Sequence, residues 1–306
     1  MTTAPETIFK KVKVSMMNAI HDMPLLVARD EGFFADEGLD VDIIKTPGSG
    51  QFASDHQALR ANVFERTMEA MYDNGTCDQF RMCEWGVMKR AVESNVESGH
   101  RPAKIVALGS AMSSFAIATS PKSGIYEPEQ LKDEPIAVSP FNGSHFTTLK
   151  LLEGFLEREN IKTTFAGTMK ERLDALSKNE IKAASLMEPW ISVAEKNGMR
   201  VIMESHSTRS EAASDELDGP TLAKMFRAEA RAAEAINKHP ERYVHYLIEE
   251  AGGLLEFKDV NLARLLNAPP TPYTRERFKR TYEWTLGWGL VPPGATYENT
   301  VDNRAW

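Results

Sequence analysis

The sequence predicts an α/β protein with a mainly parallel sheet at its centre. Three observations lead there. Short runs alternating apolar and polar residues, as half-buried strands do, recur along the chain; stretches of helical spacing separate them; and glycine- or proline-bearing turns mark the joints. Alternation of this kind implies parallel pairing through βαβ units. A chain of 306 residues is long enough for one large domain or for two lobes.

Residues 12–16 (VKVSM) alternate as a first strand. A polar turn at 18–22 precedes Pro24, which a helix accepts in its first turn, and Leu25, Leu26 and Ala28 carry that helix to Gly32, a C-terminal stop. Asp22 stands where a helix cap belongs. Residues 39–44 (LDVDII) alternate again and end at the loop signal Pro47-Gly48-Ser49-Gly50. Leu59, Val63, Phe64, Met68 and Met71 have helical spacing, Asp73-Asn74-Gly75 breaks it, and a short strand follows at 79–83. Val87, Met88, Ala91 and Val92 mark another helix, and 104–108 another strand. The second half repeats this grammar. Strands are predicted at 135–138, 183–187 and 200–203, helices at 147–156, 169–176 and 191–194, and from Leu222 the chain reads as almost all helix.

Composition narrows the function. Hydrophobic residues make up 42% and charged residues 26%, which is ordinary globular composition. A net charge of −8 without a clustered basic patch argues against nucleic acid as a partner; the basic stretch 275–280 carries Glu276 and reads as a solvated helix face. No segment has the run of about 18 apolar residues that membrane insertion needs. Two cysteines, Cys77 and Cys83, make no disulfide framework and lack the close spacing of zinc pairs, so neither a metal nor another cofactor is expected. The opening residues lack the charged and apolar regions of a secretory signal, which points to the cytoplasm, or to the periplasm if an export signal has been removed.

The stretch 24–41 (PLLVARDEGFFADEGLDV) resembles the start of the family that groups nitrate-, sulfonate- and taurine-binding proteins with thiamine-pyrimidine-synthase-like proteins, within the type 2 periplasmic-binding-protein superfamily. Ser123-Gly124-Ile125, Glu129-Gln130-Leu131-Lys132, Asn142-Gly143-Ser144, Glu188-Pro189-Trp190 and Lys238-His239-Pro240-Glu241 follow in the family's order. The resemblance implies two α/β lobes with mixed sheets flanked by helices, joined by two crossing strands, with a ligand clasped between them. Lobe 1 would take residues 1–110 and return at 205–306 with the C-terminal helices; lobe 2 would be 111–204.

Ligands of open α/β sheets gather at the carboxyl ends of strands, which selects four segments. The first holds Asn18 and His21, a ligand contact and a candidate general base. The second holds Cys83, Glu84 and Trp85: a candidate nucleophile, a carboxylate that accepts protons or binds an amine, and a stacking face. The third is Asn142-Gly143-Ser144-His145, where a helix start offers amides to an anion. The fourth holds Glu188 and Trp190. His56, in the segment 50–60, resembles loosely a loop carrying catalytic His and Arg in sulfinate desulfinases of the superfamily. The cysteine those enzymes use after the first strand is missing here, as is the iron-binding cysteine run of yeast-type pyrimidine synthases. Ordinary readings stand beside each: a buried thiol is usually a small hydrophobe, and Ser144 makes an ordinary helix cap.

The supply of His21, His56, Cys83, Glu84 and His145 favours a cytosolic enzyme of decarboxylase, desulfinase or hydrolase type acting by general acid–base chemistry on a small, planar anionic molecule. The alternative is the solute-binding component of an ABC importer, with a permease as partner and no chemistry in the cleft.

Overall fold

The computed structural model describes residues 9–46, 68–96 and 100–306. His56 and most of the helix expected at 58–72 lie outside the described residues. Among the described residues eight strands form one sheet: β1 (Lys10–Met16), β2 (Leu39–Lys45), β3 (Gln79–Cys83), β4 (Lys104–Thr119), β5 (Pro135–Val138), β6 (Lys162–Phe165), β7 (Ala183–Met187) and β8 (Arg200–Ala213). Their order is β2-β1-β3-β8-β4-β7-β5-β6. The sheet is mixed rather than mainly parallel. β1–β2, β1–β3, β5–β6 and β5–β7 are parallel, whereas β3–β8, β8–β4 and β4–β7 run antiparallel.

The register divides this sheet into two halves. β3 lies beside β8 only at Arg209–Ala213, and β7 lies beside β4 only at Phe115–Thr119. Between those stretches β4 and β8 run together, paired at Met112–Ser114 with His206–Thr208 and bulged between Leu108 and Met112. Two half-sheets are therefore joined by two long crossing strands of 16 and 14 residues, the two-lobed arrangement that the resemblance implies. The expected boundaries at 110 and 204 fall inside these crossing strands.

Helices cover the sheet: α1 (Met23–Asp30), α2 (Phe33–Asp36), α3 (Met68–Asp73), α4 (Glu84–Val96), α5 (Gly143–Leu152), α6 (Met169–Ser177), α7 (Trp190–Lys196), α8 (Gly219–Lys238), α9 (Val244–Glu250), α10 (Arg275–Gly287) and α11 (Tyr297–Thr300). Helix α8 shows why they form. Asp218 accepts the Thr221 amide at 2.7 Å, Pro220 occupies the first turn, and Leu222, Met225, Phe226, Ala232 and Ile236 line one buried stripe. Each such side chain contributes roughly 1.5–3 kcal/mol by burial, alanine less. Glu229 lies on the same buried face, which a purely apolar core would not place there. None of the helices among the described residues is long and apolar enough to cross a membrane.

Candidate functional site

Where the half-sheets part, one face of the crossing strands carries a row of polar side chains. Antiparallel partners share a face and alternate residues return to it. Ser113 pairs with Ser207 and Phe115 with Ser205, while Arg209 and Glu211 continue the same face of β8 opposite Cys83 and Arg81 of β3. Lobe 1 brings the β1–α1 turn onto this face. Lobe 2 brings the first turn of α5.

The β1–α1 turn is built by its own side chains. Asn18 Oδ1 accepts the amides of Ile20 (3.1 Å) and His21 (2.9 Å), so this oxygen shapes the turn rather than facing outward. Asp22 is the N-cap residue of α1, but its side chain makes no capping bond: its Oδ2 accepts the Met17 amide at 2.7 Å, and its Oδ1 lies 3.6 Å from Arg209 and 3.8 Å from Arg81. His21 is buried, with its ring centroid 6.1 Å from that of Phe115. Its Nδ1 lies 2.5 Å from Arg209 Nη1. A guanidinium only donates, so Nδ1 is the acceptor and the ring proton sits on Nε2. Burial, reinforced by the Arg209 charge, holds the imidazole well below its usual pKa and therefore neutral. His21 is thus a donor through Nε2, and its single lone pair is already taken. The general-base role expected of it has no free atom to act through.

Helix α5 begins at Gly143, not at Thr147, with Asn142 as an extended N-cap whose carbonyl accepts the amides of His145 (2.9 Å) and Phe146 (3.1 Å). A Cβ on Gly143 would stand 2.7 Å from Phe115 Cζ, so glycine lets the helix start come down onto β4. The first turn leaves amides with no intrahelical acceptor. Ser144 faces behind the helix, where Oγ accepts the Ser139 amide (2.9 Å) and meets Arg172 Nη1 at 3.5 Å. Arg172 is buried and gives its other bonds to Ser139 Oγ and to the carbonyls of Gly167 and Ser185. No carboxylate among the described residues lies within ion-pair distance of it, and burial pushes its pKa down to about 10. A buried cation with no ion-pair partner among the described residues therefore sits behind a helix N-terminus, and both favour a negative charge in front. His145 Nδ1 accepts the Phe141 amide at 3.2 Å, so its Nε2 also carries the proton; burial lowers its pKa.

Glu84 and Cys83 of the second segment have structural surroundings. Glu84 accepts from Arg277 Nε (2.7 Å) and Nη2, Tyr273 (2.7 Å), Thr281 (2.6 Å) and Thr208 (2.9 Å). Burial opposes its charge, but those partners outweigh it and hold the carboxyl below its usual pKa, as an ionised anchor for α10. Cys83 is buried, and desolvation pushes its thiol up to about 11, opposite to what a nucleophile requires. Trp85 is half-buried, with ring centroids 5.6 Å from Trp284 and 6.3 Å from Phe146 of α5, so it forms an aromatic wall where the lobes meet.

Glu188 keeps other company. Its carboxylate accepts from Ser192 Oγ (2.9 Å) and amide (3.2 Å) and from Arg264 Nη1 (3.3 Å), while Arg264 also grips Glu195 and Glu204. Trp190 packs against the main apolar cluster. The structure thus brings His21, Trp85, Asn142, Gly143 and His145 to the junction of the lobes and leaves Glu188 in a separate ion-pair cluster. Sequence reasoning missed Arg209, Ser113, Phe115, Thr147 and Arg172. The buried polar atoms without a hydrogen-bond partner on the shared face or the helix above it include His21 Nε2, Arg209 Nε, Ser113 Oγ and Thr147 Oγ1, with Asp22 Oδ1 and Arg81 Nε and Nη1 deeper in lobe 1. Thr147 lies one turn after Gly143 and so on the same side of α5. Among the described residues no cluster of three or more His, Cys, Asp or Glu could hold a metal ion.

Residues 20–58 match the family model described as NMT1/THI5 like. The fold is shared with the periplasmic aliphatic sulphonate binding protein SsuA from Escherichia coli at TM-score 0.68 and 15% identity, covering 95% of this chain and 92% of that one. It is shared with the periplasmic nitrate-binding protein NrtA from Synechocystis PCC 6803 at TM-score 0.67 and 13% identity, covering 94% and 83%. The desulfurization enzyme DszB matches at TM-score 0.62 and 12% identity, covering 97% of each chain. No curated protein sequence matches. At these identities the likeness is one of fold, and that fold carries both binding proteins and an enzyme.

Proposed function

We propose that this chain captures a small organic anion between its lobes and releases it unchanged, as the solute-binding component of an importer. The observation that carries this reading is that the unpartnered buried atoms include the donors His21 Nε2, Arg209 Nε, Ser113 Oγ and Thr147 Oγ1, which belong to the shared face of the crossing strands, the β1–α1 turn and the α5 helix that packs on it. Leaving buried donors unmade costs about 1–3 kcal/mol each, a cost that an anion accepting from them removes. Arg172 behind the helix supplies the attraction, and Trp85, Phe115 and Phe146 supply apolar walls for a planar body.

Acid–base chemistry fits the same residues poorly. His21 and His145 have their lone pairs engaged, Cys83 is a protonated thiol, and Glu84 is saturated by donors. The enzyme reading that the sequence favoured therefore gives way to its alternative, which the sulphonate- and nitrate-binding relatives in fold also support. An ABC permease is the partner this reading requires, and the outer side of the cytoplasmic membrane is where it would act. Calorimetric titration with a panel of aliphatic and aromatic sulfonates, carboxylates and nitrate, beside neutral and cationic analogues, tests it. Saturable binding of an anion at one per chain supports the proposal; binding only of neutral or cationic analogues refutes it.

A further inference from the structure

We propose that Glu211 and Glu229 form a proton-holding pair that sets the charge of the anion site, making it select singly over doubly charged ligands and take up a proton with them at alkaline pH. This rests on the anion-capture reading above. Arg81 Nη2 donates to both carboxylates, to Glu211 Oε1 at 2.6 Å and to Glu229 Oε2. Gln79 Nε2 donates to Glu211 Oε2, and Ser110 Oγ donates to Glu229 Oε2 at 2.7 Å. The pair is built in deliberately: a Cβ on Gly109, in the β4 bulge, would stand 2.7 Å from Glu211 Oε1. Around it lie Asp22 and neutral His21 from the β1–α1 turn, Gln79, Arg81 and the protonated Cys83 from β3, Ser110 from β4, Arg209 from β8, and Glu229 itself from α8. All are buried.

Three carboxylates thus face two guanidiniums. A buried excess charge is costly, and one proton held on Glu211 beside Glu229 cancels it. Burial, helped by the neighbouring Glu229 charge, pushes the Glu211 carboxyl up to about 8 against the pull of Arg81. At neutral pH the pair therefore carries a single negative charge, and the cluster that supports Arg209 and His21 is neutral. Glu211 is two residues from Arg209 on the same face of β8, about 7 Å along the strand. When the proton leaves, a second negative charge confronts the ligand. A doubly charged ligand brings the same excess at neutral pH. An anion in the site raises the Glu211 pKa, so binding above about pH 8 draws a proton in, and Kd rises by up to about tenfold per pH unit.

Benzenesulfonate and benzene-1,3-disulfonate keep fixed charges across the range and serve as probes. Calorimetry from about pH 6.5 to about 9.5, in buffers of different ionisation enthalpy, reads affinity and proton uptake together. The expected result is a monosulfonate Kd that is flat to about pH 8 and then rises, uptake approaching one proton, and a disulfonate weaker by at least about tenfold at neutral pH. Glu211→Gln leaves a permanently balanced cluster and makes the Kd independent of pH; Glu229→Gln does the same and serves if the first variant does not fold. Infrared spectra of the ligand-free protein report the pair directly, through a protonated-carboxyl carbonyl band present at neutral pH and lost at alkaline pH and in either variant. Absence of that band in the wild type, or a pH-independent Kd with the band present, overturns the inference. If neither sulfonate binds at any pH, the anion-capture reading fails and the selectivity falls with it, while the band still decides whether the pair stores a proton.

Discussion

Gly143→Ala is the substitution that most directly probes how lobe 2 closes on the crossing strands. The added methyl would stand 2.7 Å from Phe115 Cζ and 3.3 and 3.4 Å from Cε2 and Cε1. Carbon atoms settle at about 3.5–4.0 Å, so the ring and the helix start must separate by about 1 Å. Phe115 is 1% exposed and its ring centroid lies 6.1 Å from that of His21, which leaves little room for retreat. Overpacking of this kind costs typically 1–3 kcal/mol, and the better helix propensity of alanine returns at most about 1 kcal/mol. The expected net loss is about 1 kcal/mol in urea denaturation, with anion affinity reduced because the α5 amides are displaced. Phe115→Leu should relieve the clash, so a double-mutant cycle should give a coupling energy of at least about 1 kcal/mol. Additive effects, or a Gly143→Ala protein as stable and as tight-binding as wild type, would refute this account of the helix start.

Other variants separate structural from binding roles. Thr147→Val removes a buried hydroxyl that has no partner, so stability should hold or rise while anion affinity falls by about tenfold or more; equal affinity would remove Thr147 from the site. Glu84→Gln should cost about 2–3 kcal/mol by denaturation at neutral pH, allowing for the partial exposure of Arg277, and a loss under about 0.5 kcal/mol would contradict the anchor. Because the folded Glu84 pKa is held below its unfolded value, its stabilisation is present above about pH 4.3 and is lost as pH falls through the folded pKa, so acid should narrow the gap between wild type and variant. With a thiol pKa of about 11, Cys83 should resist iodoacetamide in the folded protein at neutral pH; rapid stoichiometric labelling seen by peptide mass spectrometry would revive it as a nucleophile.

The elements that were legible in the sequence are those whose pattern follows burial. Residues 79–83, 135–138 and 183–187 are strands with the predicted limits. The crossing strands were read only at one end each, because Gly109, Ser110, Ser113 and Ser114 interrupt the apolar pattern of β4, and Arg209 and Glu211 interrupt that of β8. Those residues are buried all the same, and Arg209 and Glu211 belong to a charge network with Asp22 and Arg81 that a hydropathy pattern reads as surface. The loops that form the site were found from strand ends and glycine turns, which is how His21, Trp85 and Gly143 were chosen. The partners that decide their chemistry were not, since Arg209 meets His21 from 188 positions away and Arg277 meets Glu84 from 193. Residue type alone made these groups look like acids, bases and a nucleophile; their neighbours make them donors and anchors.

The central claim is capture without conversion. Purified protein mixed with a metabolite extract, then followed by mass spectrometry of both the extract and the recovered complex, tests it most directly. The account predicts that one anionic compound is depleted by no more than one equivalent per chain and is released from the protein at unchanged mass. Loss of a compound well beyond one equivalent, with a new product appearing, would contradict it and establish an enzyme.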